Sequence, residues 1–408
     1  SGCGGFSVGF EQAGFNTDVS VDIHPQSIDT IKKNHKNTST ILGDIRKVDP
    51  KDVKNILNPN SKFSVVTAGV PCQGFSLSNR KRNKSDERNF LFLEFIRFAE
   101  FLQPDAVILE NVSGLASLND GQFKNDISLA IKELGYHVHF KLLNAADYGV
   151  PQARKRVFII GNRLGLENPY PQPTHQIPSA KKNILFDSRL QNHVTTKEAI
   201  NFLSKVSITN KTIYVKNRVI HNHMADTNVH DEFWGRKYYV NQFHICDYLK
   251  KWRKKAGIST KKVDEHFGYA HTAGHWFRKD NNSGSIPNPD DWRGLKKLLG
   301  FDNKYDKQVT TLVKKKIQFE QSLRITNWDR PSDTLTATSP EIHINLKRRL
   351  SVRECAILQT FPDDFVFEGA TFRSMHKQIG NAVPVLLAEK IAKRIKKILI
   401  NKSLRRAA

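Results

Sequence analysis

Val65-Val66-Thr67-Ala68-Gly69-Val70-Pro71-Cys72-Gln73-Gly74-Phe75-Ser76 decides how the rest of the chain is read. Its first residues form a short β-branched run, which predicts a buried strand, and Gly69 and Pro71 then end it. A cysteine is thereby presented on a tight loop at the carboxyl end of a strand. In an open α/β sheet, ligands bind along that edge. Taken alone, the stretch fits a buried loop cysteine as well as a reactive one.

Downstream neighbours favour the reactive reading. Arg80, Lys81, Arg82 and Lys84 form a basic segment able to reach phosphates. Residues Glu87 to Leu102 are apolar nearly all round, which predicts a buried helix stopped by Pro104. Ala106–Leu109 is the next strand, and it delivers Glu110-Asn111-Val112 to the same sheet edge as Cys72. A helix over Lys124–Leu134 ends at Gly135, and Val138–Leu143 is a further strand. The segment Gln152-Ala153-Arg154-Lys155-Arg156 then opens an apolar strand, and alternation sets Arg154 and Arg156 on one face. A thiol and a carboxylate therefore converge on one edge.

Upstream, Gly2, Gly4, Gly5 and Gly9 form a cluster followed by an amphipathic turn through Phe10, Ala13 and Phe15. A short strand Asp18–Val21 leads to Asp22, about 20 residues past the glycines, where a nucleotide-type cofactor offers ribose hydroxyls. A second acid, Asp44, follows the strand Thr38–Leu42. It is placed to accept from an adenine amino group or a cofactor amine, or simply to close an Asx turn. The chain opens on Ser1-Gly2-Cys3-Gly4-Gly5 without an initiator Met, as a chain missing a first strand would. No secretory signal is read there.

Composition narrows the partners. There are 64 Lys and Arg against 40 Asp and Glu, a formal charge of +24, which points to a polyanion, nucleic acid above all. Cys3, Cys72, Cys246 and Cys355 are scattered with no CxxC pair. That argues against a disulfide framework or zinc knuckle and for a reducing compartment. No run approaches the roughly 18 apolar residues of a membrane span.

From about residue 176 the texture changes. Residues 176–330 hold 29 Lys and Arg against 15 Asp and Glu, an excess of 14, the footprint expected of a nucleic-acid-binding insert. Within it, Ser259–Gly268 and Thr272–Lys279 read as two short helices in a loose helix-turn-helix pattern, with Trp276, Phe277 and Arg278 on or beside the second. His221, His223 and Cys246 match no standard metal spacing and read as surface polar residues. Regularity returns near Arg330. Ser351 with Glu354 forms a capping box, and Gln378-Ile379-Gly380-Asn381-Ala382-Val383-Pro384 opens a terminal amphipathic helix with a frayed end.

Six motifs in order resemble the DNA cytosine-C5 methyltransferase family: Ser1–Gly5 with Gly9-Phe10, Pro71-Cys72-Gln73, Glu110-Asn111-Val112, Gln152 to Arg156, Arg353-Glu354 with Gln359-Thr360-Phe361-Pro362, and Gly380 to Pro384. The resemblance covers about 1–175 and 330–408, flanking the variable insert where that family carries target recognition. It implies an α/β, doubly wound, Rossmann-like S-adenosylmethionine-dependent domain (1–175, completed by 331–408) with a smaller target-recognition domain inserted at 176–330. Two departures stand out. The family's strand before the glycine turn is absent, and Val70 stands where an aromatic often precedes Pro-Cys.

The resemblance implies roles as well. Cys72 adds to C6 of a flipped cytosine, Glu110 meets N3 and the exocyclic amine, and Arg154 and Arg156 hold the O2 edge and the thiolate, Arg156 being the better O2 contact. The S-adenosyl-L-methionine pocket draws on Gly2, Cys3, Gly4, Gly5, Asp22, Ile23, Asp44, Ile45, Gly69, Pro71 and Leu91, closed by Asn381 and Val383. Gln73, Ser76, Arg80, Arg82 and Arg278 meet double-stranded DNA. A monomer without metal or membrane follows, in the cytoplasm or nucleoid of a prokaryote or phage host, with a cognate restriction endonuclease as a partner. Two alternatives stand beside this: methylation of transfer-RNA cytosine, which goes with a shorter and less basic insert, and an inactive DNA-binding module, which needs none of Cys72, Glu110 and Arg154.

Overall fold

The computed structural model describes residues 1–61, 64–70, 91–115, 122–163, 165, 169–178, 190–229, 242–268, 276, 287–314, 325–337 and 340–407. Contacts divide it into one unit of 1–225, 327–340 and 351–408 and a second of 226–326 and 341–350.

The first unit is built on strand β4 (Ala106–Val112), whose run of aliphatic residues is buried on both faces. That is the pattern of a central strand. It pairs in parallel with β3 (Val65–Gly69) and antiparallel with β6 (Lys155–Asn162), which in turn pairs with β5 (His137–Asn144). The sheet order is therefore β3-β4-β6-β5. A separate parallel pair joins β1 (Val19–Asp22) to β2 (Ser39–Leu42).

Side-chain alternation builds a core on each face of the sheet. Ala106 and Ile108 of β4, with Phe158 and Ile160 of β6, meet Phe6 and Phe10 of α1 (Gly5–Gln12) and Leu387, Ile391 and Ile395 of the terminal helix. Val107, Leu109, Val157 and Ile159 point the other way. They meet Phe95 and Ala99 of α4 (Leu91–Leu102) and Ile127 and Ile131 of α5 (Gln122–Glu133). Helices cover both faces, so the sheet is doubly wound. Between β1 and α4 lie α2 (Pro25–Asn34) and α3 (Pro50–Ile56), each opened by a proline in its first turn.

The glycine cluster splits into two kinds of residue. Gly2 and Gly4 sit at φ +63° and +94°, conformations L side chains rarely adopt, and make the turn that opens α1. Gly5 and Gly9 instead let α1 lie directly on the start of the terminal helix. A Cβ on Gly9 would meet Val385 O at 2.6 Å and Glu389 N at 2.7 Å, and one on Gly5 would strike the Val383 carbonyl. Gly9→Ala gains about 1 kcal/mol of helix propensity. The collision is with backbone that cannot swing aside, so overpacking of about 1–3 kcal/mol should outweigh that gain. Calorimetry should show a lower Tm, and an unchanged or raised Tm would contradict this close approach.

Toward the C-terminus, α6 (Thr196–Ile200) precedes the second unit. The first unit then resumes with α11 (Val352–Leu358), α12 (Phe372–Asn381) and α13 (Val385–Ala407), and Ser351 and Glu354 form the expected capping box. The terminal helix runs on to Ala407, past the point where fraying was expected, because Ile395 and Leu399 still find the core.

The second unit has its own helical core: α7 (Gln242–Lys255), α8 (Thr260–Phe267), α9 (Pro289–Leu299) and α10 (Asp306–Val313) around Trp292. Ser259 caps α8 and Gly268 ends it at φ +71°, as the first half of the helix-turn-helix reading required. In the second half only Trp276 is described, and it is buried edge-on against Trp292 at 5.0 Å, so it serves the core.

Two further sequence readings need adjusting. The helix at 91–102 is not buried all round: Leu93 is 50 % and Phe101 38 % exposed, because α4 packs on the sheet only through the face carrying Phe95 and Ala99, while Phe98 meets Val48 and Val53. His223 is a buried residue, its Nδ1 3.0 Å from Ser351 Oγ. Contacts begin the second unit at 226, whereas composition changes at 176. The stretch between packs with the first unit, for example through Thr196, whose N–H and hydroxyl donate to Arg330 O.

Candidate active site

The parallel register of β3 and β4 sets Gly69 opposite Glu110. A Cβ on Gly69 would lie 3.6 Å from Glu110 Oε2, in ordinary contact, so the carboxylate lies directly against this strand end. One residue on, the Asn111 amide donates to Val70 O at 3.1 Å and ties down the backbone two residues before Cys72. Cys72 itself, with Pro71, Gln73, Ser76, Arg80 and Arg82, lies outside the described residues, as does Arg278.

Glu110 is only 7 % exposed, and its partner is Arg156 on the neighbouring strand β6, with Nε 3.1 Å from Oε1. The two stand off the axis of a good hydrogen bond, so the contact is an ion pair. Burial lowers Arg156 from the usual arginine range and Glu110 opposes that shift. Arg156 also donates to Lys155 O at 2.8 Å.

Arg154 occupies a different place. It is fully buried, and its two terminal nitrogens donate to Leu335 O at 3.0 Å and Gly380 O at 2.9 Å, carbonyls far along the chain. Burial, with Arg156 adding to it, pulls Arg154 down to about 9, so it stays charged at neutral pH. Gln152 extends the same clasp, donating to Leu358 O and Gln359 Oε1 and accepting from Leu335 N. Gln359 donates in turn to Ile379 O and Ala382 O. Sequence reasoning named Gln152 and Gln359 as motif letters without giving them work. The structure uses them to bind the β6 motif to the last third of the chain.

At the other strand ends, Asp22 accepts from Gly2 N at 2.7 Å and His24 N at 2.9 Å and pairs with the amino group of Ser1 at 3.2 Å. Burial alone would raise its pKa, but the amino group and these two N–H donors hold it below the usual carboxylate range. Asp44 closes an Asx turn on Arg46 N at 3.0 Å and pairs with the Arg46 guanidinium, which lowers it to about 2. Ile23 and Leu42, both 56 % exposed, leave apolar surface at these strand ends, and the register sets Leu42 opposite Asp22. A tight glycine turn, a carboxylate and bare aliphatic side chains together suit an adenine nucleoside with its ribose. Ile45 is half-buried beneath this edge, and Leu91 begins α4. Cys3 faces inward, its thiol raised to about 12 by burial and 3.5 Å from Gln378 O. Asn381 is exposed at the end of α12, while Val383 joins the core beside Phe6. The structure thus brings Gly69, Glu110 and Arg156 together, and separately Gly2, Gly4 and Asp22. Among the described residues no His, Cys, Asp or Glu group is arranged for a metal ion.

The family model for C-5 cytosine-specific DNA methylase matches residues 1–397. The chain belongs to that family. This methylase is 31 % identical over 404 residues to the Type II methyltransferase M1.HphI of Haemophilus parahaemolyticus, covering 98 % of this chain and 86 % of that protein. It is 30 % identical over 428 residues to M.AgeI of Thalassovita gelatinovora, covering 97 % of each. A solved structure described as a DNA modification methyltransferase encoded within a prophage (E. coli) shares the fold, with a TM-score of 0.60 at 22 % identity, covering 98 % of this chain and 97 % of that one. The methylase is a sequence-specific DNA cytosine-C5 methyltransferase that uses S-adenosyl-L-methionine. Among the described residues, no helix is long and apolar enough to cross a membrane.

Proposed function

We propose that Cys72, Glu110 and Arg156 act together on a cytosine swung out of the duplex. The observation that carries this is the buried Glu110–Arg156 ion pair at the end of β4, beside the anchored backbone of Gly69 and Val70. A stacked cytosine cannot reach such a strand edge, so the base must leave the helix. The Cys72 thiolate adds to C6, and the electron pair of the C5–C6 bond moves onto the ring, making C5 a nucleophile. Glu110 holds a proton at N3, where charge would otherwise accumulate, and Arg156 donates to O2. Loss of the C5 proton then returns an electron pair that expels the thiolate. Arg154 is a positioning residue, because its guanidinium is already committed to Leu335 O and Gly380 O.

S-adenosyl-L-methionine, when bound, supplies a methyl group made electrophilic by its sulfonium. Gly2, Gly4, Asp22 and Ile23 hold it on the ribose side and Asp44 and Ile45 on the adenine side, with Cys3, Gly5, Gly69, Pro71, Leu91, Asn381 and Val383 completing or backing the pocket. Gln73, Ser76, Arg80 and Arg82 grip DNA near the flipped base. Arg278 and the basic residues of 176–330 read the sequence, which accounts for the charge excess there. We further infer a monomer acting on DNA in the bacterial cytoplasm beside a cognate restriction endonuclease, since the relatives named above are Type II methyltransferases. A duplex carrying 5-fluorocytosine at the target should trap a covalent adduct that survives denaturing electrophoresis, because fluorine cannot leave as the proton does. Failure to trap it with donor present would refute attack at C6.

A further inference from the structure

We infer that His35 is a positioning residue for the methyl-donor site, bracing the glycine turn from behind. It follows the last turn of α2, its N–H donating to Ile31 O at 2.7 Å, and its side chain is only 2 % exposed. Nδ1 lies 2.9 Å from both carboxylate oxygens of Glu11, which fixes the ring's rotation and makes Nδ1 the donor. Nε2 is buried and, among the described residues, has no hydrogen-bond partner. It is aimed at Gly4, where an added Cβ would meet it at 2.9 Å.

A hydrocarbon wedge would fill this space without leaving a nitrogen unsatisfied. A histidine oriented by a carboxylate instead sets a polar edge at one fixed height beneath the turn. Phe365 closes the ring's other side, edge-on at 6.1 Å. Gly4 opens α1 with no side chain capping the helix N-terminus, so the turn's N–H groups depend on the backbone being held in place from below. A second brace runs in parallel: Cys3 Sγ reaches Gln378 O, and Thr30 Oγ1 donates to Gln378 Oε1 at 2.8 Å. Glu11 and His35 are thus the polar support directly under Gly4. The inference rests on reading the glycine turn as the donor site.

The test titrates S-adenosylhomocysteine into the full-length protein by calorimetry, with the duplex affinity measured alongside. His35→Ala and Glu11→Gln should each raise the Kd for S-adenosylhomocysteine about tenfold, since the turn loses preorganisation, with duplex affinity kept within about twofold. Gly4→Ala combined with His35→Ala should lose less than the two separate losses multiplied together, because the wall the methyl group strikes is gone. Should His35→Ala fail to fold, Glu11→Gln decides alone, since its side chain is 37 % exposed and keeps its shape. Asp22→Ala separates the two readings. If it weakens binding while His35→Ala and Glu11→Gln bind as wild type, the brace is overturned and the donor site stands. If it too binds as wild type, the donor-site reading fails and the brace with it.

Discussion

Cys72→Ser should lower the methyl-transfer rate by at least about 10³-fold while leaving duplex binding within about twofold. An alcohol is far less acidic than a thiol, so at neutral pH almost no alkoxide exists to add to C6, and without that adduct C5 stays inert toward a sulfonium methyl. Binding depends on phosphate contacts and on the basic segments, none of which this change touches. Incorporation of labelled methyl groups into a duplex measures the first quantity and a gel-shift titration the second. Turnover near the wild-type rate would remove Cys72 from the reaction, and loss of binding in step with activity would assign it to DNA contact instead.

Glu110→Gln should cost about 10²–10³ in kcat, the usual size of losing one electrostatic group that acts on developing charge. The amide keeps the shape of the carboxylate but cannot hold a proton for N3. It also strips the buried Arg156 of its counter-ion, and breaking one side of such a pair costs about 3–5 kcal/mol of stability. The double variant Glu110→Gln with Arg156→Gln separates these effects. It should recover much of the Tm lost by the single change, because no charge is left unpaired, and recover none of the activity. Recovery of both would mean that the pair serves the fold rather than the cytosine.

Much of the framework was legible because it is written in local patterns. The alternation in Val157–Ile160 and in Ala106–Leu109 sends successive side chains to opposite cores, and a period of two shows in any sequence. Gly135 and the Ser351–Glu354 box mark helix ends through bonds spanning a few residues. The convergence of Glu110 and Arg156 was less legible: one ends β4 and the other begins β6, and only the antiparallel pairing of those strands brings them to the same edge. Hidden from the sequence were bonds from side chains to distant main-chain carbonyls. Arg154 reaches Leu335 O and Gly380 O across 181 and 226 residues, and Arg353, fully buried, donates to His221 O and Pro362 O. A carbonyl carries no residue letter, so nothing in the sequence announces such partners. The glycine cluster was ambiguous for a related reason: a residue without a side chain reads the same whether it makes room for a ligand or for another helix. The central cysteine of the sequence argument lies outside the described residues, so its assignment rests on chemistry and on the backbone just before it.

The seating of α1 against α13 has a consequence for how the enzyme is born. Phe6 and Phe10 leave the ribosome nearly 400 residues ahead of Leu387, Ile391 and Ile395, which shield them. At about 5–20 residues per second, nearly 400 residues take roughly 20 to 80 s. For that interval the nascent protein carries greasy aromatic surface whose cover stays incomplete until its tail arrives. Newly made enzyme should therefore lean on chaperones during synthesis and stay silent until release. Where a chain of this design accompanies a nuclease, protection of the chromosome would begin a full translation time after the message is first read.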